Sequence, residues 1–262
     1  MVGADMMSGK LLGTPVSHVV LEEFLRGDEL SFLVLSDGER VAPLVASQDH
    51  KRIGEGDTGA NTGGMGAYSS DSLADDAMVE WLLNHIARPV VLGMKSEGVE
   101  YRGILYCGLM MTPRGPMVLE FNCRFGDPET QAVLMRLDSD LLEAVEASIE
   151  GRVSEGLFKW SSDASCCVVV SSGGYPGSFV SGKEIRGLER AAHVENVKVF
   201  HAGTTRRDGG FYTSGGRVVG VTARAPRLQD AIEKAYQAVR CISFEGMYYR
   251  RDIGARALKQ RT

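Results

Sequence analysis

The sequence predicts an α+β chain in two successive units, and three observations predict it. Two pairs of strand-like runs are each joined by a short turn, as antiparallel hairpins are. A stretch after Ser72 instead repeats its apolar residues at helical spacing. A polar, irregular stretch from Gly151 to Asp163 then separates these elements from a second run of strands and one long helix. The 262 residues are 44% hydrophobic and 24% charged, a balance that builds a sizeable core and excludes a collagen, coiled-coil or disordered chain.

Residues 1–14 read as the tail of a preceding segment more than as the start of a domain. Residues 19–25 read as a strand. Residues 30–35 and 41–46 alternate as a hairpin around Asp37-Gly38, a pair suited to positive φ. Residues 47–68 lack apolar periodicity and carry glycines at 54, 56, 59, 63, 64 and 66, so a long loop is expected. From Ser72 the apolar residues at 73, 77, 78, 81, 82 and 86 predict a helix, interrupted at Pro89 and resuming to Met94. Residues 101–111 and 117–125 read as strands joined through Pro113, Arg114 and Gly115. Asp140 with Glu143 resembles a capping box opening a helix to Ile149. Beyond Asp163 follow strands at 166–170, 197–201 and 217–223 and a helix over 227–241. The turn-like strings GGYPG (173–177) and RRDGG (206–210) separate them.

Charge and cysteine usage narrow the function classes. Lys+Arg number 29 against 34 Asp+Glu, a net charge of -5, which argues against a nucleic-acid partner. No apolar run approaches the ~20 residues a bilayer needs. Asp5 and Lys10 occupy the stretch where a signal peptide is apolar. Five cysteines with no CxxC pair are the usage of a reduced, cytoplasmic protein. No HExxH or Cys/His cluster points to zinc.

The chemistry is carried by three strings. In Glu120-Phe121-Asn122-Cys123-Arg124-Phe125 a strand places Glu120, Asn122 and Arg124 on one face and the apolar residues on the other, toward a core. Carboxylate and amide oxygens suit Mg²⁺, and an adjacent guanidinium suits a transferring phosphoryl group. A salt-bridged edge strand would show the same alternation. The turn Gly126-Asp127-Pro128-Glu129 returns Asp127 and Glu129 toward that face, or is simply a surface turn. The glycine-rich stretch opens with Asp49-His50-Lys51-Arg52 and closes with Asn61 to Tyr68. Its glycines let backbone N–H groups approach an anion, and Lys51 and Arg52 add positive charge, though no GxxxxGK[ST] or strand-borne GxGxxG is present. His50 reads equally as a proton-transfer group or a structural loop histidine. Finally, Glu22-Glu23-Phe24-Leu25 and then Glu29 suit an adenine edge and a ribose, or are solvated carboxylates.

Together VVLEEFLRGDELSF, SQDHKRIGEGDTGANTGGMGAY and VLEFNCRFGDPETQ resemble the phosphoribosylamine–glycine ligase family of the ATP-grasp superfamily. GGYPG, VFHAGT, TSGGRVVGVTA and YRRDIG are similar to that family's C-terminal domain. The resemblance implies a partial ATP-grasp unit over 1–160, mostly antiparallel sheet with helices, and a small α/β C-terminal domain over 161–262. It implies a ligase that joins glycine to 5-phosphoribosylamine in purine biosynthesis, with ATP cleaved to ADP and phosphate through a glycyl phosphate. Carried over by position, it implies that Glu120 and Asn122 hold Mg²⁺ or Mn²⁺. Arg124 then stabilises the phosphoryl charge, with Asp127 and Glu129 beside the glycine and amine sites. Glu22, Leu25 and Glu29 hold adenine and ribose. Lys51, Arg52, Gly63, Gly64, Gly66 and Arg217 line the substrate pocket. The match begins part-way into the ATP-grasp unit. A partner chain carrying the upstream half is therefore implied, and the alternative is a non-catalytic nucleotide- or phosphate-binding remnant.

Overall fold

The structure is a computed structural model, and it describes residues 2–10 and 13–259. After a short helix α1 (Val2–Met7), residues 19–25 are not the expected strand but irregular chain. Val20, Leu21 and Phe24 are 81%, 98% and 83% exposed. A strand needs a neighbour for its N–H and C=O groups, and among the described residues no strand pairs with this stretch. The next two strands, β1 (Asp28–Asp37) and β2 (Val41–Pro43), form the expected hairpin, with Ser36 opposite Val41. The Asp37 carboxylate accepts the N–H groups of Glu39 and Arg40 and so closes the turn.

Residues 47–68 are more ordered than their composition predicts. They form β3 (Gln48–Asp49), β4 (Arg52–Gly54), β5 (Thr58–Asn61) and β6 (Gly66–Ser69). Strand β6 is buried along its whole length, so it carries no polar/apolar alternation for a sequence reading to detect. The helix after Ser72 appears as α2 (Asp76–Leu82), a π-helical turn (Leu83–Ala87) and α3 (Arg88–Ser96). Asp75 caps α2 by accepting the Met78 N–H at 2.8 Å. Pro89 sits in the first turn of α3, and the chain widens into the π turn just ahead of it, as a residue without an N–H favours.

The hairpin β7 (Arg102–Thr112) and β8 (Gly115–Asn122) also forms as expected. Its polar residues Glu120, Asn122 and Arg124 line one hollow as expected, but the opposite residues do not form the expected apolar core face, because β8 is the edge strand of its sheet. A bulge shifts the register between Gly108 and Leu109, ahead of Glu120. Phe121 and Cys123 are exposed, and only Phe125 packs against a core. The strand ends at Asn122, so Arg124 lies in the following turn. Two helices follow, α4 (Glu129–Leu134) and α5 (Leu141–Ile149). Asp140 caps α5 through the Leu142 N–H rather than that of Glu143, so the capping box forms only in part.

The second unit contains β9 (Ala164–Ser171), β10 (Glu184–Ile185), α6 (Leu188–Ala192), β11 (Val197–His201), β12 (Thr204–Arg207), β13 (Gly210–Thr213), β14 (Arg217–Ala225), α7 (Leu228–Val239) and α8 (Ala255–Lys259). The RRDGG string makes the β12–β13 turn, with Asp208 and Gly209 both at positive φ (48° and 81°).

All ladders are antiparallel. One sheet runs β2-β1-β7-β8 and a second runs β11-β14-β9-β6-β3. The first sheet is covered on both faces. Leu30, Phe32 and Val34 meet Leu82, Ile86 and Val91 on one side. Leu33 and Leu35 meet Val133 and Ala144 on the other. The second sheet joins β3 and β6 from the first half of the chain to β9 and β14 from the second, and α7 packs on β9 and β14. The segment between β3 and β6 therefore lies where the two sheets meet.

Candidate functional site

Two hollows open at this junction, and they share Asp49 and Lys51. The smaller, about 150 Å³, is lined by Glu120, Asn122, Arg124, Asp127, Glu129 and Gly63, among others. The larger, about 240 Å³, is lined by Glu29, Gln48, Arg52, Asp57, Asn61 and Arg256, among others. Sites of this kind bring a few polar groups together on elements fixed by separate cores.

Lys51 stands between the hollows. Its Nζ is 3.0 Å from Glu29 Oε2 and 3.9 Å from Glu120 Oε1. Burial opposes its charge, but Glu29, Glu120 and Asp49 outweigh burial and hold its pKa above the ordinary value. Glu129 is 3% exposed. Its Oε1 accepts hydrogen bonds from Ser31 Oγ at 3.0 Å and Tyr106 OH at 2.9 Å. Burial and then the Glu129 carboxylate push Asp49 well above the usual carboxylate range. The two buried acids thus resist sharing two negative charges.

Arg217 ties the glycine-rich segment to the turn after β8. Its guanidinium donates to the carbonyls of Gly63 at 2.6 Å and Asp127 at 2.8 Å, and to Asp127 Oδ2 at 3.0 Å. A Cβ on Gly63 would lie 2.8 Å from that guanidinium. Gly64 has φ +111°, and a Cβ there would come within 2.4 Å of Pro128 Cδ. The Gly63 N–H is taken by Tyr175 OH and the Gly64 N–H by Thr62 Oγ1. These glycines therefore allow close packing, with their N–H groups engaged inside the protein. Gly64 and Gly66 line neither hollow.

Arg124 is exposed, lines the small hollow and donates to the Phe125 carbonyl at 2.8 Å. Arg52 lines the large one and donates to the Gly59 carbonyl at 2.7 Å. Glu22 and Leu25 line neither. Residues given no role in the sequence reading also reach the site. Asp49, Asn61 and Ser31 lie inside strings singled out there, whereas Tyr106 and Arg256 left no local signal.

His50 is 2% exposed. The Gly254 N–H donates to its Nε2 at 3.2 Å, which leaves Nδ1 to carry the proton and face the Gly66 carbonyl at 3.3 Å. Both ring nitrogens are thus spent on backbone, a structural role. Burial, then Arg250, lowers its pKa to about 4 from 6.5. A depressed folded pKa contributes stability that is present above 6.5 and lost as pH falls through 4. The loss is roughly 3 kcal/mol. Urea titrations across that window should show this decline, and it should be smaller in His50→Gln. An equal decline in both proteins would refute the assignment.

The Glu120 and Asn122 oxygens, at the end of strand β8, fit the donor set Mg²⁺ accepts, one carboxylate with the rest from phosphate and water. Among the described residues no group of three or more His, Cys, Asp or Glu forms a metal cage, so a cation here would need a ligand to complete its shell.

Residues 2–130 match the family "Phosphoribosylglycinamide synthetase, ATP-grasp (A) domain", and residues 165–256 match its C domain. The chain belongs to the phosphoribosylglycinamide synthetase family. Phosphoribosylamine–glycine ligase of Synechocystis sp. is 52% identical over 242 residues, 92% of this chain and 58% of that protein. The ligase of Pasteurella multocida is 48% identical over 255 residues, 97% of this chain and 59% of that protein. The crystal structure of the Thermotoga maritima ligase superposes with a TM-score of 0.84 at 33% identity, covering 96% of this chain and 62% of that one. The chain thus spans about three-fifths of the length of these relatives. The β2-β1-β7-β8 sheet with α2 and α3 falls within the ATP-grasp (A) domain match, and residues from Ser165 of β9 to α7 fall within the C-domain match. Strands β3 and β6 belong to the A-domain match yet complete the sheet of the C domain. No helix among the described residues is long and apolar enough to cross a membrane.

Proposed function

We propose that this chain is the C-terminal part of a cytoplasmic ATP-dependent ligase. The ligase joins glycine to 5-phosphoribosylamine and releases ADP and phosphate. The observation that carries this reading is the small hollow, where Glu120 and Asn122, Arg124, Lys51 and the buried Asp49 and Glu129 converge. Phosphoryl transfer needs positioned charge rather than a covalent nucleophile, and this hollow offers charge of both signs. Glu120 and Asn122 would hold Mg²⁺ or Mn²⁺, which when bound neutralises the phosphate oxygens of ATP. Glu29, bonded to Lys51, lies where a ribose hydroxyl pair can reach it. Lys51 and Arg52 balance phosphate charge.

Arg124 is free to turn its guanidinium onto the phosphoryl group as it passes to the glycine carboxylate. The attacking amine of phosphoribosylamine then displaces phosphate from the acyl carbon. Asp127 and Glu129, beside that point, orient the amine and take up the proton it sheds. Arg217 keeps the Asp127 turn against Gly63 throughout. Glu22 and Leu25 are assigned to the adenine edge by family resemblance, and the exposed residues around them await the other wall of that cleft. A chain carrying the remaining part of the ligase would supply that wall. The exposed Val20, Leu21 and Phe24 also favour a second reading, a phosphate-binding remnant that does not turn over.

Glycine-dependent ADP formation with Mg–ATP and phosphoribosylamine separates the two. It is measured on this chain alone and mixed with the upstream part of a full-length relative. Turnover in the mixture supports the ligase. Its absence, with Mg–ATP still bound, supports the remnant. In the active mixture Glu120→Ala should raise the Mg²⁺ concentration for half-maximal activity about tenfold or more, by loss of one charged ligand. An unchanged Mg²⁺ dependence would refute the ligand assignment.

A further inference from the structure

The string YRRDIG (249–254) has no part in the reaction proposed above, yet it grips the arm that shapes the larger hollow. Arg250 is 1% exposed. Its Nη1 donates to the Arg52 carbonyl at 3.0 Å and to Asp57 Oδ1 at 2.8 Å. Its Nε and Nη2 each donate to Asp252 at 2.8 Å. Asp252 Oδ2 in turn accepts the Gly56 N–H at 2.8 Å. Tyr248 OH donates to the Ile53 carbonyl at 2.8 Å, the Arg251 N–H to Glu55 Oε1 at 3.2 Å, and Arg256 pairs with Asp57. Arg52, Ile53, Glu55, Gly56 and Asp57 are thus all held by residues almost two hundred positions away.

The arm needs such a hold. Among the described residues β4 and β5 pair only with each other, and β5 is exposed along its length. An isolated two-stranded hairpin is marginal in water. The arm nevertheless supplies Arg52, Asp57 and Asn61 to the hollow, directly after Lys51. A planar guanidinium presents five donors in a fixed fork from one buried point.

We propose that Arg250 is a positioning residue: it locks the 52–61 hairpin so that Lys51 and Arg52 face the larger hollow together and hold a polyphosphate-bearing substrate. This rests on the functional reading above, although its test does not require turnover. Two measurements on the intact chain decide it. One is amide hydrogen exchange, and the other is titration with inorganic tripolyphosphate as the probe. The variants are Arg250→Ala, Arg250→Lys and Asp57→Asn.

Loss of a hydrogen bond to a charged group corresponds to about a tenfold change or more in an opening equilibrium. Arg250→Ala and Asp57→Asn should therefore raise exchange in residues 52–61 about tenfold, with β9 and β14 unchanged. The tripolyphosphate Kd should rise by a similar factor. Arg250→Lys should fall between the unaltered chain and Arg250→Ala. Asp57→Asn is the discriminating variant. It removes a negative charge from the hollow, so a purely electrostatic effect would tighten anion binding, whereas loss of the lock weakens it. Should Arg250→Ala fail to fold, Asp57→Asn decides alone. Unaltered hairpin exchange in Asp57→Asn, or tighter tripolyphosphate binding, overturns the proposal. Absence of tripolyphosphate binding by the unaltered chain overturns the substrate role of the hairpin, whatever the ADP assay gives.

Discussion

Arg124→Ala should lower the turnover of the complemented ligase by about 10²–10³-fold, the usual cost of removing one preorganised charge-stabilising group. The geometry lets this effect be separated from folding. Arg124 lies beyond the end of β8, is exposed, and makes one hydrogen bond among the described residues, to the neighbouring Phe125 carbonyl. Its removal should leave the melting temperature within a degree or two, since exposed substitutions away from packed features rarely exceed about 0.5 kcal/mol. The Km for glycine should move less than kcat, because the charge it meets develops in transit. Steady-state kinetics beside a thermal melt reads both quantities. Turnover within a few-fold of the unaltered protein would remove Arg124 from the phosphoryl-transfer machinery.

The opposite behaviour is expected of Phe32→Ala, with a loss of about 3–5 kcal/mol. Phe32 is fully buried in β1, opposite Cys107 of β7, and packs with the helices that cover that face. Because β1 lies between β2 and β7 and is covered on both faces, neighbouring side chains have little freedom to collapse into the cavity. Urea denaturation measures the loss directly. A value below about 1 kcal/mol would mean that this face is not the tightly packed core described. The same strand carries Glu29 and Ser31, the second of which donates to Glu129. Loosening β1 should therefore also reduce ligand binding by the complemented enzyme.

Most of the elements were legible locally. Both hairpins of the first sheet, the proline-interrupted helix, and strands β9, β11 and β14 with the long helix of the second unit were predicted by period and turn chemistry, which act over a few residues, whereas the short β10, β12 and β13 were not. The failures share one cause. Residues 19–25 have the composition of a strand, but a strand exists only with a partner, and none lies beside them among the described residues. Gly66–Ser69 lack that composition and are nevertheless a buried strand, because β3 and β9 flank them. Strand β8 likewise lies at the edge of its sheet and ends at Asn122, so Phe121 and Cys123 stay exposed although Glu120, Asn122 and Arg124 line one hollow as expected.

The candidate site divides along the same line. The sequence by itself determined the family and the chemical types at its centre: the Glu120 and Asn122 oxygens, the Arg124 guanidinium, the acids of the following turn, and Lys51 in a glycine-rich segment. Those types travel together in long ordered strings, and chemistry restricts which side chains can replace them. Only the tertiary structure decided which of them meet. Asp49 became a buried neighbour of Glu129, Arg217 became the tie between Gly63 and Asp127, and Arg250 closed on a hairpin from the other end of the chain. Hydrogen bonds and burial depend on distance in space, and contacts across eighty to two hundred residues leave no periodic trace in the chain that makes them.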